Sequence, residues 1–286
     1  MDKYTNAVES ITKKFGTSYY FATRFLPNNL RQATYALYSF FRIPDEIVDN
    51  AINQNSEAIL SELEDWESMW NQAYTGDNTK YPVLNITAEV FREYEIPYQY
   101  SLDFLAAMKQ DVYTNRYQTY TDLRAYMYGS ASVVGLIMSY LIGFNNDKAL
   151  QYAPYLGEAM QLTNFIRDIG EDYKERSRIY LPQEDMDKYN VQDIDIRDNK
   201  ITPEFIELIK FEIKRARSLY RKSDQGLEYL NKRGIFAVIM ASRMYEAILD
   251  KVEQNNYDVL NKRARTSKRE KIYILGKAVL EYGFQN

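Results

Sequence analysis

Neither cysteine nor histidine occurs anywhere in the 286 residues. The first absence excludes disulfides, thiolate zinc sites and cysteine nucleophiles. The second removes the commonest general base, the Ser-His triads and imidazole metal sites. Chemistry in this chain therefore runs on carboxylates, Lys, Arg, Tyr, backbone groups or a bound hard metal. An excess of positive charge is also missing. The net charge of −4 argues against a nucleic-acid partner. A membrane-spanning run is missing too: the longest apolar stretch, Val133 to Phe144, is interrupted by Ser139, Tyr140 and Gly143 and reads as a buried helix. The N-terminal MDKYTNAVESITKKF is amphipathic rather than a secretory signal. A cytoplasmic protein, soluble or peripheral, is the expectation.

What is present is helical periodicity, without a run of alternating strand segments. The pattern predicts helices over about 28–51, 57–74, 86–94, 98–113, 122–143, 147–175, 203–231, 235–255 and 268–283, with 177–200 irregular. Thr202-Pro203-Glu204 reads as N-cap, first-turn proline and first-turn acid. With no repeat or linker in view, residues 1–286 are expected to form one all-α domain, a single helical bundle. The 27 tyrosines and 13 phenylalanines have two explanations. One is AT-rich coding; the other is an aromatic-walled cavity for a greasy or cationic ligand.

Two acidic pairs stand out. In Tyr35-Ala-Leu-Tyr-Ser-Phe-Phe-Arg42 followed by Asp45-Glu-Ile-Val-Asp49, residues Tyr38, Arg42, Asp45 and Asp49 fall within an arc of about 60°. In Gln161-Leu-Thr-Asn-Phe-Ile-Arg-Asp-Ile-Gly-Glu-Asp172, residues Gln161, Asn164, Asp168 and Asp172 share about 80°, with Leu162, Phe165, Ile166 and Ile169 opposite. Either pair alone is ordinarily a solvated face with mild repulsion. Together they form two oxygen-only clusters, each with an arginine on the same helix, suited to Mg²⁺ rather than a soft metal. Such pairs could clamp a metal-diphosphate, with Arg42 and Arg167 on the remaining phosphate oxygens. The chemistry implied is departure of diphosphate from carbon and shelter of a carbocation in a dry cavity.

These segments resemble the squalene/phytoene synthase family, and within it prokaryotic phytoene synthases. Further matching blocks are Ala22-Thr-Arg-Phe-Leu-Pro27, Tyr126-Met-Tyr-Gly-Ser-Ala-Ser-Val-Val-Gly135, Arg178-Ile-Tyr-Leu-Pro182, Arg243-Met-Tyr-Glu-Ala-Ile-Leu-Asp250 and Tyr257-Asp-Val-Leu260. They occur in family order from about residue 15 to 265. The resemblance implies an all-α isoprenoid-synthase fold, a single-domain helical bundle with a central cavity, and head-to-head joining of two geranylgeranyl diphosphates to phytoene through a cyclopropyl diphosphate. It implies that Asp45, Asp49, Asp168 and Asp172, with Asn164, hold Mg²⁺, or Mn²⁺ in its place. Ser18, Tyr19, Arg42, Gln161, Asn164, Arg167 and Arg243 would contact the prenyl diphosphate substrate. Tyr126 would assist diphosphate loss or proton handling. NADPH is not expected, because hydride transfer belongs to squalene formation.

Three departures from the family pattern stand in this chain. Pro44 precedes Asp45 inside the helix, where it removes a backbone donor and should bend the axis. Ser130-Ala131-Ser132 replaces the usual Val-Ala-Gly. After the C-terminal Lys262-Arg-Ala-Arg265 and Lys268-Arg269 no membrane anchor is expected; they read as a solvated loop, or as a contact for anionic lipid in a peripheral membrane protein. Oligomeric state leaves no mark in the sequence. Other readings are a C15-using synthase of dehydrosqualene, squalene or hydroxysqualene, and a non-catalytic assembly factor. The latter would be expected to lose the metal-binding carboxylates, and all are retained.

Overall fold

In this computed structural model, which describes residues 2–15, 17–49 and 55–284, helices follow one another with short connections. They are α1 (Asp2–Phe15), α2 (Thr17–Thr23), α3 (Asn28–Asp49), α4 (Ser56–Thr75), α5 (Pro82–Glu93), α6 (Tyr98–Asp111), α7 (Tyr120–Met127), α8 (Val133–Ile142), α9 (Ala149–Arg176), α10 (Gln183–Lys188), α11 (Asp193–Arg197), α12 (Pro203–Asp224), α13 (Lys232–Gln254) and α14 (Lys268–Phe284). No strand forms among the described residues; two isolated bridges, Arg116 with Ile179 and Phe144 with Leu230, tie loops together. The all-α expectation holds. The stretch expected to be irregular contains the two short helices α10 and α11.

Helix ends follow local chemistry. Asn55 accepts from the Ala58 N–H (2.8 Å) to start α4, and Gly76 closes it in the left-handed region at φ 111°. Thr202 accepts from the Phe205 N–H (3.1 Å) at the start of α12, as its sequence predicts. α3 runs unbroken through the buried Pro44. Tyr120 to Ile142 is one helix whose middle, Tyr128–Ser132, widens into a π-helical turn. It is long and apolar enough to cross a membrane, but 61% of its apolar window is buried inside the protein, as in a core helix.

One side of the core is aromatic. Phe40 of α3 packs against Trp70 (4.6 Å between centroids), Trp66, Phe91 and Phe104, and Trp70 donates its indole N–H to Ser101 Oγ at 2.8 Å. The other side is built on α9, which packs against α8, α12, α13 and the π-helical turn. Approach here is at glycine range: a Cβ on Gly135 would lie 2.4 Å from the Ala153 carbonyl oxygen, and one on Gly157 would lie 2.2 Å from that of Ala131. Those contacts set α9 so that its two ends face different surroundings.

Candidate active site

α3 and α9 present the two acidic stripes, and the stripes meet through side chains. Arg176, at the end of α9, places Nε 3.1 Å from Asp49 and Nη1 3.5 Å from Asp172. Arg178 stands 3.8 Å from Asp49 and donates to Asp111 at 2.9 Å. Arg42 pairs with both Asp45 and Glu46. Arg167 pairs with Asp168, which Arg263 also reaches at 3.0 Å. The α9 stripe does not face bulk solvent: the side chains of Asp168 and Asp172 are 14% and 17% exposed. Gln161 and Asn164 sit two turns and one turn before Asp168, joined by a 3.4 Å hydrogen bond.

This gathering of negative charge is electrostatically incomplete. The Asp45 side chain is 41% exposed, yet crowding by the surrounding protein, then the Asp49 charge, raise it to about 7 against the pull of Arg42. Burial, then Asp168, raise Asp172 to about 8 despite Arg176. Such carboxyls lack enough cation. Among the described residues no three acidic or imidazole groups converge on one metal by themselves; the Arg176 guanidinium occupies the place of positive charge between the pairs. The donor set is hard oxygen. It fits Mg²⁺ held by one or two carboxylates from each helix, with phosphate oxygens completing its shell.

Beside the acids stands an aromatic wall. Tyr126 is 3% exposed, stacks on Tyr180 at 5.9 Å and on Phe165 at 6.4 Å, and Phe165 stacks on Tyr180 at 4.0 Å. Tyr117 closes the group, 5.4 Å from Tyr126. The Tyr180 hydroxyl donates to Asp111 at 3.0 Å. Burial raises Asp111 to about 6, partly offset by Arg178 and the hydroxyls of Tyr180 and Tyr126. Burial also drives the Tyr126 and Tyr180 phenols far above their usual range, so both remain protonated donors.

The N-terminal half of α9 lines something different, an apolar cavity of ≈ 140 Å³. Its walls are Ala149, Tyr152, Ala153, Leu156, Gly157 and Met160 of α9, with Ala131, Val134, Gly135 and Met138 opposite and α2 and α13 closing the sides. The cavity is aliphatic, with Tyr152 its one aromatic. The aromatic wall expected from composition lines the acidic region instead. Much of the remaining aromatic content, including Tyr35 and Tyr220, is packed core. Ala131 of the Ser130-Ala131-Ser132 departure lines this cavity, whereas Ser132 turns to Glu158 at 3.3 Å.

Most of the sequence-predicted residues come together: Arg42, Asp45, Asp49, Gln161, Asn164, Arg167, Asp168, Asp172 and Tyr126. Arg243 does not join them. Its guanidinium is committed to Asp224 (3.0 and 2.9 Å) and Glu281 (3.0 Å), because its side of α13 faces the end of α12 and α14. Ser18 and Tyr19 lie in α2, with side chains outside the described residues. Sequence reasoning missed Arg263, which turns back from the basic stretch to Asp168 and Glu171 rather than standing in solvent. With Arg167 and Lys174 it lines a polar pocket of ≈ 250 Å³. Also missed were Arg176, Asp111 and Tyr245, whose phenol lies in the field of Arg167 and Asp168. Arg178 and Tyr180 stood within a matched block; Asp111 carried no local signal.

Known proteins resemble this chain in sequence and fold. The squalene/phytoene synthase family model matches residues 12–270. A phytoene synthase of Arthrospira platensis is 33% identical over 283 residues, 94% of this chain and 90% of that protein. A 15-cis-phytoene synthase of Synechocystis sp. is 33% identical over 285 residues, 94% of this chain and 82% of that protein. The crystal structure of a dehydrosqualene synthase superposes with TM-score 0.90 at 28% identity, covering 98% of this chain and 96% of that one. A squalene synthase of Alicyclobacillus acidocaldarius shares the fold, with TM-score 0.80 at 23% identity over 89% of this chain and 94% of its own.

Proposed function

The chain belongs to the squalene/phytoene synthase family, and from that premise we propose that it is a prenyltransferase joining two C20 prenyl diphosphates head-to-head to phytoene, the first committed step of carotenoid synthesis. The observation that carries the reading is the run of α9 from an aliphatic cavity into a carboxylate-arginine cluster: an apolar half suited to a prenyl tail and a charged half suited to a diphosphate follow one another along one helix. The phytoene synthase relatives at 33% identity favour the C20 substrate.

Asp45, Asp49, Asn164, Asp168 and Asp172 are the residues that would hold Mg²⁺. When bound, the metal stabilises the charge of the departing diphosphate. Arg42, Arg167 and Arg263 carry hydrogen-bond donors for the diphosphate oxygens. The C1–O bond breaks with its electron pair leaving on diphosphate. The second substrate's double bond attacks C1, and loss of a proton closes the cyclopropyl ring. Ionisation, rearrangement and a second proton loss then give the triene core. Tyr126 and Tyr180 hold their protons and offer π-faces to the cation, and Asp111 accepts their hydroxyls. Gly135 and Gly157 let the helices close tightly enough to exclude water beside the cavity.

A C15-using reading is favoured by one observation, the dehydrosqualene synthase fold match at 28% identity. Purified protein with Mg²⁺, given C20 or C15 prenyl diphosphate separately, decides between them by chromatography and mass of the extracted hydrocarbons. A C40 product from C20 substrate is expected without NADPH. C30 product from C15 substrate alone would move the enzyme to the other branch, and no product from either would sink the catalytic reading.

A further inference from the structure

α14 is apolar on two opposite sides. Its inner side, Ile274 and Ala278, is buried against α13, and Tyr282 packs on Phe236 at 5.6 Å between ring centroids. Its outer side carries Ile272, Tyr273, Val279 and Leu280, exposed by 67%, 64%, 53% and 64%. At about 100° per residue these four span an arc of about 120°, with Gly276 in its middle and the buried side diametrically opposite. They make up half of the large exposed hydrophobics among the described residues, whose others, Tyr81, Tyr113, Tyr128 and Ile194, are scattered over the chain. One helix thus concentrates what the rest of the surface disperses.

Charge on α14 is sorted in the same way. Both acids lie on its protein side and are neutralised there: Glu270 by Lys251 at 2.7 Å and by the Ser267 cap, Glu281 by Arg243. The exposed Arg269 lies within the outer apolar arc; the exposed Lys277 lies about 40° beyond it and reaches back to it, its Nζ 4.9 Å from the Tyr273 ring. The face that looks outward is therefore apolar with only positive charge. The inner residues Ile274 and Ala278 belong to the same hydrophobic cluster as Ala22, Ile142, Leu227 and Leu230, which line the aliphatic cavity. One helical layer, α13, separates the outer face from the space assigned to prenyl chains.

We propose that the outward face of α14 is a docking surface for an anionic lipid bilayer, laying the helix in the interface plane with Arg269 and Lys277 at the headgroups. The choice of lipid rests on the functional reading above, in which substrate tails and product are oily and need an apolar phase close to the cavity. Charge complementarity separates a membrane from a second copy of the chain, since like-charged faces would be brought together in a symmetric pair.

The test is flotation of the full chain with vesicles of phosphatidylcholine alone and of phosphatidylcholine mixed with phosphatidylglycerol, at low and high salt. Wild type floats with the anionic vesicles and at least about tenfold less with the neutral ones. Arg269→Glu with Lys277→Glu weakens anionic binding by about thirtyfold or more. Ile272→Ser with Leu280→Ser removes binding to both, with unchanged thermal unfolding. In the same variant, turnover of detergent-dispersed substrate is retained while turnover of vesicle-borne substrate falls. The proposal is overturned if wild type does not float, or if both double variants float as wild type does. It is also overturned if wild type sediments as a dimer that the Ser variant converts to monomer without any vesicle binding. Vesicle binding without hydrocarbon product would leave the docking surface standing and remove the catalytic reading instead.

Discussion

The two halves of α9 differ in almost everything but their secondary structure. From Ala149 to Met160 the helix shows small and aliphatic side chains to an apolar cavity. From Gln161 to Arg176 it turns amides, arginines and aspartates toward the stripe of α3. Both halves are held against the bundle by the same means, a buried row that includes Ala159, Leu162, Phe165, Ile166 and Ile169. What differs is the cost of burial. Apolar walls are stable when dry and empty of charge, whereas buried carboxylates are costly until a cation joins them. The lesson is that one half recognises by shape and the other by charge, so substitutions in the two should fail differently.

The sharpest break should come at the carboxylates. Asp45→Asn or Asp168→Asn is expected to lower turnover by about a thousandfold. In chemical denaturation Asp45→Asn is equally or more stable, because a charge repelled by Asp49 has gone, whereas Asp168→Asn is less stable through loss of its pairs with Arg167 and Arg263. Turnover near wild type in both variants would refute the metal-diphosphate clamp.

In the apolar half, Leu156→Trp should fill the cavity and shift the ratio of C20 to C15 turnover by about ten- to a hundredfold toward the shorter chain, read by product mass in mixed-substrate assays. The arginines sharpen the contrast further. Arg263→Gln is expected to reduce kcat/KM about tenfold or more through loss of a charge-assisted donor. Arg243→Gln should leave kcat/KM within about twofold and cost about 1 kcal/mol of stability, since its ion pairs are partly solvated.

The smallest effect is a pH slope outside both halves. Glu212 on α12 is buried with Arg215 (2.8 Å) and near Asp185, and burial raises its carboxyl to about 8. A folded-state value above the unfolded one of 4.5 means the native state holds more protons. Stability should therefore fall as pH rises from about 4.5 toward 8. Asp45, Asp172 and Asp111 tilt the curve the same way, so the quantity to measure is the difference: Glu212→Gln should flatten the slope relative to wild type in urea titrations at several pH values.

Much of this was legible beforehand because its signals are local. The 3.6-residue period placed α9 and α13 to within three residues at each end and the start of α3 at Asn28; Thr202 marked the start of α12, whose expected end at 231 overran Asp224 by seven residues. The spacing Asp45 to Asp49 and Asp168 to Asp172 put each pair on one face, since helix geometry alone decides that. Pro44 removes a backbone donor inside α3, and the helix continues to Asp49 with the proline buried. Tertiary packing there outweighs one missing backbone hydrogen bond.

Non-local pairings were not legible. Asp111 ends α6 as an isolated acid, and it becomes part of the site only when Arg178, 67 residues later, folds onto it. Arg263 sits in a basic stretch with the charge pattern of a solvated loop. It faces Asp168 because the 259–263 segment packs on Gly170, where a Cβ would meet the Leu260 carbonyl oxygen at 2.5 Å. Arg243 matched the family pattern, but the bundle gave its side of α13 to Asp224 and Glu281.

By itself, then, the sequence determined the helices, the two acidic stripes and the exclusion of thiol and imidazole chemistry, because residue type and helical period act within a few turns. Only the tertiary structure decided which arginines meet those acids, that the cavity is aliphatic with the aromatic wall elsewhere, and that α14 leaves an apolar, positively charged face outward. Each of those depends on which helix surfaces are pressed together, and a one-dimensional period carries no information about the partner on the other side.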